Sequence, residues 1–376
     1  MGPDRANASA VPKKEKTLKK SLFGLAVTGA VASLLLAACS SGSGSSATGS
    51  AASGSSTAKS TRACVILPDS ASSPEWELTF RPDLTKGFTA AGYKVDVQNA
   101  NGDINKFATI GDQQLAGGCG VMLIVDLQGA GVGVLTKAKA QGVPVIALDR
   151  PLAGAGIYVS YNNFKIGQIQ GQAIVDALKA EGKNPATASV VYVGGDPTDG
   201  NAKQLHDGAV QAMSVVGIKP AAETRGTWDG AVATTAFEQA YTSLHGKVDA
   251  VWVANDTNAA GVITILDKYG RKLPVSGQDS TDAGLQNLLL GKQSVDVNTS
   301  GDAEPIAAVA IGISILKGQT PTINSKLQDG TPFESVDPQV VTAATVKALI
   351  ANGQTTAVRL CTTPELKAAC VKYGIK

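Results

Sequence analysis

The residues whose types could do chemistry stand at the ends of apolar runs. Val143-Pro-Val-Ile-Ala-Leu148 stops at Asp149 and Arg150, and Pro151 then forbids a further ladder donor. A short run of small and β-branched apolar residues reads as a buried parallel strand. In an open parallel sheet, ligands sit at the carboxyl ends of the strands. A carboxylate only accepts hydrogen bonds and a guanidinium only donates them, so side by side they suit a neutral molecule covered in hydroxyls. The alternative for this stretch alone is an ion pair that closes a strand end. The pattern recurs, however. Asp69, Asn101, the loop Gly194-Gly-Asp-Pro-Thr-Asp-Gly-Asn-Ala-Lys203, Asn255-Asp256 and Gln278-Asp279 all follow apolar runs. A buried hydroxyl left unpaired costs about 1–3 kcal/mol, so a site of this mixture selects stereochemistry. Trp76 and Trp228 are candidates to pack a ring on the C–H side of such a ligand, with ordinary packing as the alternative for each.

These side chains need a scaffold, and from residue 62 the chain alternates strand and helix. Strands are expected at 63–67, 93–98, 121–126, 143–149 and 157–160, with helices at 75–91, 105–116 and 132–141 between them. A helix with Ile166, Ile169, Ile174 and Leu178 on one face follows, and after Gly182 the pattern restarts. The second series has strands at 189–193, 218–223, 248–254 and 275–277. Its helices are 201–215, 230–244, 258–269 and one reaching Leu290. Residues 294–299 read as a return crossing, 305–316 as a helix, and 320–337 as irregular. Repeated βα units imply parallel, doubly wound sheets with right-handed crossovers, here in two lobes. The lobes are expected to be 62–163 with about 299–325, and 164–298 with about 326–376. Polar strand ends of both can then face one another across a cleft.

Several chemistries are disfavoured. A formal charge of +2 and a pI near 8.2 give no reason to expect nucleic acid or an acidic partner. Two His, His206 and His245, fall inside helical segments rather than at strand ends, which argues against an enzyme. Neither a metal nor a cofactor is expected. The loop Gly129-Ala-Gly-Val-Gly133 fails as a dinucleotide fingerprint, because the third glycine position meets Val134 in one register and Thr136 in the other. Asp196–Asp207 has Thr198 and Gly200 where a calcium loop needs ligands.

The amino-terminal part reads as an address and a tether. Lys13, Lys14, Lys16, Lys19 and Lys20 precede an apolar run, 22–38, too short to span a bilayer, as in a secretory signal. Val11, close to the Lys cluster, is an alternative start. The 40–61 stretch is almost all Ser, Gly, Ala and Thr, a flexible coil reaching roughly 25 Å. Beyond it, four Cys belong to an oxidising compartment. Cys64 opens the first strand and Cys119 precedes the third. In a 2-1-3 strand order these lie at the same end of neighbouring strands, so 64–119 is the expected disulfide. Cys361 and Cys370 bracket a short helix begun by Thr363-Pro364 and form the second expected pair; metal binding is the alternative, disfavoured because no Cys pair has close-ligand spacing and His is scarce.

Leu36-Ala-Ala-Cys39 resembles a bacterial lipoprotein cleavage box, which implies that Cys39 becomes the lipidated first residue of the mature protein. The series 99–103 (NANGD), 147–150 (ALDR), 159–163 (VSYNN), 194–203, 254–256 (AND) and 276–279 (SGQD) resembles the sugar-binding type I periplasmic binding proteins. Within them it is most similar to the D-xylose-binding branch of the ribose/arabinose group. The similarity runs in order over about residues 62–350. It implies two Rossmann-like lobes joined by hinge strands and a monosaccharide, a D-xylose-like aldose, enclosed between them. It also implies delivery to the permease of an ABC importer by a monomer that is held to the membrane only through its lipid. By position, Asp149 and Arg150 would grip hydroxyls from the first lobe. Asn201, Lys203, Asn255 and Asp279 would do so from the second, with Trp228 as stacking ring. Two positions depart from the pattern: Pro74-Glu75-Trp76, where the family often has a basic residue, and Asn298-Thr299, where the xylose branch has a Lys. A lipid-anchored receptor of the same fold for an autoinducer or amino acid is the alternative function.

Overall fold

In a computed structural model, residues 60–299 and 301–376 are described. Cys39, the signal-like segment and nearly all of the Ser/Gly-rich stretch lie outside the described residues. Twelve strands are named in chain order among those described. They are β1 (Arg62–Leu67), β2 (Lys94–Asn99), β3 (Val121–Ile124), β4 (Val145–Leu148), β5 (Ile157–Tyr161) and β6 (Val190–Val193). Then come β7 (Pro220–Glu223), β8 (Ala250–Val253), β9 (Asp296–Asn298), β10 (Ser325–Lys326), β11 (Pro332–Val336) and β12 (Gln339–Val341).

The first sheet runs β10-β11-β5-β4-β3-β1-β2, parallel except for the β10–β11 hairpin. Its inner strands β1, β3, β4 and β5 are buried on both faces, which is why they read as largely continuous apolar runs. Alternation along β1 sends Cys64 and Ile66 to one face, beside Phe107, Met122 and Val134. Ala63, Val65 and Leu67 go to the other, beside Phe80, Leu84, Phe88 and Val309. The second sheet has the parallel order β7-β6-β8 and is prolonged by single bridges, Val251 to Val275 and Ser276 to Val295, toward the antiparallel pair β9–β12. Helices Asn163–Ala180 and Gly200–Ser214 cover one of its faces through Ile174, Leu178, Leu205 and Met213. Helices Gly230–Ser243 and Asp256–Lys268 cover the other through Phe237, Tyr241, Val262 and Leu266. A smaller core, Leu285, Leu288, Val341, Leu349, Leu366 and Cys370, seats the carboxyl-terminal helices.

The chain crosses between sheets three times: from β5 into helix Asn163–Ala180, from β9 into helix Ala303–Leu316, and from β11 to β12. The third crossing corrects the expected lobe boundary. Residues 332–336 belong to the first sheet, paired in parallel with β5, rather than to the second lobe. The Pro/Gly punctuation that read as irregular marks an edge hairpin, where Pro332 can open a strand without disrupting a ladder. Phe333 secures it by stacking on Tyr158, centroids 4.9 Å apart. The expected helix 75–91 is also divided. A π-helical turn, Trp76–Phe80, leads into an α-helix at Arg81–Ala90, with Pro82 in the first turn.

Cys64 and Cys119 are joined, their Cα atoms 5.9 Å apart, as are Cys361 and Cys370 at 6.1 Å. Among the described residues no helix is long and apolar enough to cross a membrane.

Candidate functional site

The polar strand ends of the two sheets meet. Several are held by backbone turned into the left-handed region: φ is +59° at Asp149, +97° at Asp279, +52° at Ser280 and +54° at Asn101. Asp and Asn tolerate this conformation better than other side chains, yet it still costs about 1–3 kcal/mol and concentrates at functional sites. The sharp turn after β4 lets Asp149 and Arg150 leave in different directions, and no ion pair joins them. Instead the Arg150 Nε stands 3.0 Å from Asp199 Oδ2 in the other lobe, with the two side chains only 9% and 7% exposed.

Arg150 is fixed from three further sides. Its Nη1 donates to the Asp126 carbonyl at 2.9 Å, its Nη2 to Ser72 Oγ at 3.0 Å, and the guanidinium lies 5.5 Å from the centroid of the Trp76 ring. Ser72 Oγ also accepts from Trp76 Nε1 at 3.0 Å and donates to Asp69 Oδ2 at 3.0 Å, so the capacity of its hydroxyl is used in full. Asp199 caps helix Gly200–Ser214 through the Asn201 N–H and accepts from Trp228 Nε1 at 3.0 Å. One carboxylate therefore orients a helix, a tryptophan and the opposing guanidinium.

Asn201 makes the second direct link between lobes. Its Nδ2 donates to the Asp149 carbonyl at 2.8 Å and to Asp149 Oδ1 at 3.3 Å, while its Oδ1 accepts from Tyr158 at 2.9 Å. Asn255 is buried; its Nδ2 reaches the Ser72 carbonyl at 3.5 Å and Asp279 Oδ2 at 3.4 Å. Asp279 Oδ1 accepts from Thr299 at 3.0 Å and from Gln278 at 3.2 Å.

These groups enclose an inner chamber of about 60 Å3, lined by Glu75, Trp76, Asp149, Arg150, Asn163, Asp199, Asn201, Trp228, Asn255, Gln278, Asp279 and Thr299 among others. A vestibule of about 280 Å3 carries Asp69, Asn101, Asp126 and Asp196 and shares Ser72, Arg150, Asp199 and Trp228 with the chamber. The arrangement offers acceptors from both lobes and two indole faces to a small polar molecule. Burial pushes the Asp149 carboxyl up to about 7, helped by Asp199 and Asp279 and opposed by Arg150. Burial likewise raises Glu75 to about 8, and moves Asp279 and Asp199 upward.

Of the residues expected from sequence, Trp76, Asp149, Arg150, Asn201, Trp228, Asn255 and Asp279 line this chamber. Lys203 does not. Its side chain is 74% exposed and pairs with Asp207 along the helix surface. Two residues beyond Asn201, it stands about 200° further around the helix and faces solvent. Ser72, Glu75, Asn163, Asp199 and Thr299 also line the chamber and were not among the site residues expected from sequence. For Asp199 a signal existed, since Asp-Gly-Asn ahead of an apolar-periodic run is a helix cap. His206 sits on helix Gly200–Ser214 near Tyr192 and Trp252, whereas His245, expected inside a helical segment, is instead exposed in the left-handed turn (φ +53°) that follows helix Gly230–Ser243; neither lines the chamber.

Residues 64–320 match the family described as "Periplasmic binding protein domain". The multiple sugar-binding periplasmic protein SbpA of Azospirillum brasilense is 31% identical over 276 residues, 66% of this chain and 75% of its own. The D-xylose-binding periplasmic protein of Escherichia coli K12 is 29% identical over 260 residues, 66% of this chain and 77% of its own. Among solved structures, an ABC transporter solute-binding protein of Clostridium phytofermentans with bound β-D-glucose superposes with a TM-score of 0.72. It is 25% identical, over 80% of this chain and 99% of that one. With two crossing-linked lobes, strand ends converging on one chamber and a match over most of its length, the chain belongs to the periplasmic binding protein domain family.

Proposed function

We propose that this protein is the solute-binding component of an ABC-type sugar importer, and that its chamber captures a monosaccharide, an aldose of the D-xylose kind. The observation that carries this reading is convergence: Asp149 and Arg150 of one lobe and Asn201, Asn255 and Asp279 of the other line a single enclosed space between Trp76 and Trp228. Groups divided between two bodies bind a common ligand only when the bodies close. The sugar therefore favours the closed arrangement over an open one reached by bending at the three crossings. Relatives whose names specify sugar binding support the ligand class. Release to a permease follows when contact with the transporter favours the open arrangement.

In the same proposal the protein works as a monomer outside the cytoplasm, tethered through lipidated Cys39 and the 40–61 stretch. Cys39→Ser should shift it from the membrane to the soluble fraction, and continued membrane association would contradict the tether. A thermal-shift screen across aldopentoses and aldohexoses tests the ligand. A true ligand at a hundred times its Kd adds about 2.7 kcal/mol of stability. No response to any sugar, with a clear response to an amino acid or autoinducer, would replace the importer reading by that of a receptor.

A further inference from the structure

The charges lining the chamber do not balance. Glu75, Asp149, Asp199 and Asp279 supply four carboxyl groups against one guanidinium, Arg150. Asp199 takes the Arg150 Nε, and the two Nη atoms serve the Asp126 carbonyl and Ser72 Oγ. Glu75, Asp149 and Asp279 then face the space and form no ion pair among the described residues, the nearest guanidinium groups, Arg150 and Arg359, being paired with Asp199 and Asp282. Further carboxyl groups without a cationic partner lie behind the wall: Asp256, Asp296 and Glu304 are all but fully buried, form no ion pair among the described residues, and burial raises the pKa of each.

The hydrogen-bonding balance points the same way. The Trp76 indole donates to Ser72 and the Trp228 indole to Asp199. The Asn201 amide donates to Asp149, and Thr299 and the Gln278 amide donate to Asp279. The wall's donors are thus largely engaged by the wall's own acceptors. Gln278 Oε1, by contrast, is buried with no partner among the described residues. The space lacks donors and positive charge together. A hydroxyl brings one donor with two acceptor sites and no charge, whereas an ammonium brings three donors, a full charge and no acceptor.

Carboxylates removed from water without a counter-charge must either keep a proton or meet a cation. The upward displacement of Glu75 and Asp149, each also raised by the charge of Asp279, marks the same unmet demand. We propose that the ligand is an amino-substituted monosaccharide whose ammonium is received by Glu75, Asp149 and Asp279. This rests on the reading that the chamber holds a monosaccharide, and adds a charged group to it. The exchange of one hydroxyl for an ammonium requires almost no extra volume, which matters in a space this small.

Calorimetric titration of the whole chain at pH 7.0 compares D-glucosamine with D-glucose and D-galactosamine with D-galactose. At least one amino sugar should bind about tenfold or more tightly than its neutral parent, the difference between charged and neutral hydrogen bonding. Glu75→Gln, which keeps the shape and removes the charge, should weaken the amino sugar by a larger factor than the parent. Neutral parents that bind as tightly as, or more tightly than, their amino counterparts would overturn this inference and leave the monosaccharide reading standing. If neither kind binds, and no other aldose does, both fail together.

Discussion

Arg150 and Asp199 come from different lobes, yet the guanidinium Nε lies 3.0 Å from the Asp199 carboxylate and both side chains are buried. Removing one partner of a buried pair leaves the other charge unpaired, at a cost of about 3–5 kcal/mol. Asp199→Asn also weakens the grip on Trp228, whose indole shares the same oxygen. Sugar affinity should fall by about two orders of magnitude. The ligand-free protein should also show a larger radius of gyration by small-angle scattering as closed lobes become rarer. An unchanged affinity would mean that the pair does not help close the lobes.

Asn201 and Lys203 make a matched test two residues apart on one helix. Asn201 bonds Asp149 and Tyr158 across the cleft, whereas Lys203 points to solvent. Asn201→Ala should weaken binding by about tenfold to a hundredfold, for the loss of two or three buried hydrogen bonds. Lys203→Ala should leave affinity within about twofold, as surface ion pairs contribute little. Calorimetry on both variants reads the contrast directly.

Trp228 is set against a glycine that leaves no room for a side chain. A Cβ on Gly195 would stand 2.2 Å from two carbons of the indole. Gly195→Ala must therefore displace the ring, while the Asn258 bond to the Thr227 carbonyl at 2.8 Å keeps the rest of the loop in place. Tryptophan emission should change in the ligand-free protein and sugar affinity should drop by about tenfold or more. The melting temperature should fall only a few degrees.

Stability should decline as pH rises from about 5.5 to 8. Burial holds Glu75 at about 8, and Asp149 and Asp256 at about 7. In the unfolded chain such groups titrate near pH 4. Between these limits the folded chain binds protons that the unfolded chain has released. This share of stability is therefore complete below about pH 4 and is lost as pH rises through the folded values. Each group contributes a slope of up to about 1.4 kcal/mol per pH unit. Glu75→Gln should raise the melting temperature at pH 8 and flatten the decline, as differential scanning calorimetry at several pH values would show.

The two disulfides should differ in worth. Cys64–Cys119 spans 55 residues and Cys361–Cys370 spans 9. By loop-closure entropy their removal costs about 4 and about 2.6 kcal/mol respectively. Paired Cys→Ser variants melted under identical conditions should rank in that order.

Much of this was legible in the sequence because parallel strands buried on both faces are conspicuous, and their carboxyl ends fall together by topology. Asp149-Arg150 and Asn255 follow apolar runs directly, and Asp279 comes within four residues of one, so finding the strand located the side chain. Lys203 misled because its place depends on rotation around a helix, which proximity in sequence to Asn201 does not convey. The partner of Arg150 was hidden for a different reason. Asp149 is adjacent in sequence, but a left-handed turn separates the two side chains and a residue from the other lobe takes the contact. The β10–β11 hairpin was missed because short edge strands carry turn-like composition.

The central claim is that both lobes hold one sugar. The direct test is a calorimetric titration of the best aldose from the screen into the wild type, Asp149→Ala and Asn255→Ala, one change in each lobe. Both variants should stay folded by circular dichroism and lose binding by at least about a hundredfold. Retention of wild-type affinity by both would contradict a shared chamber.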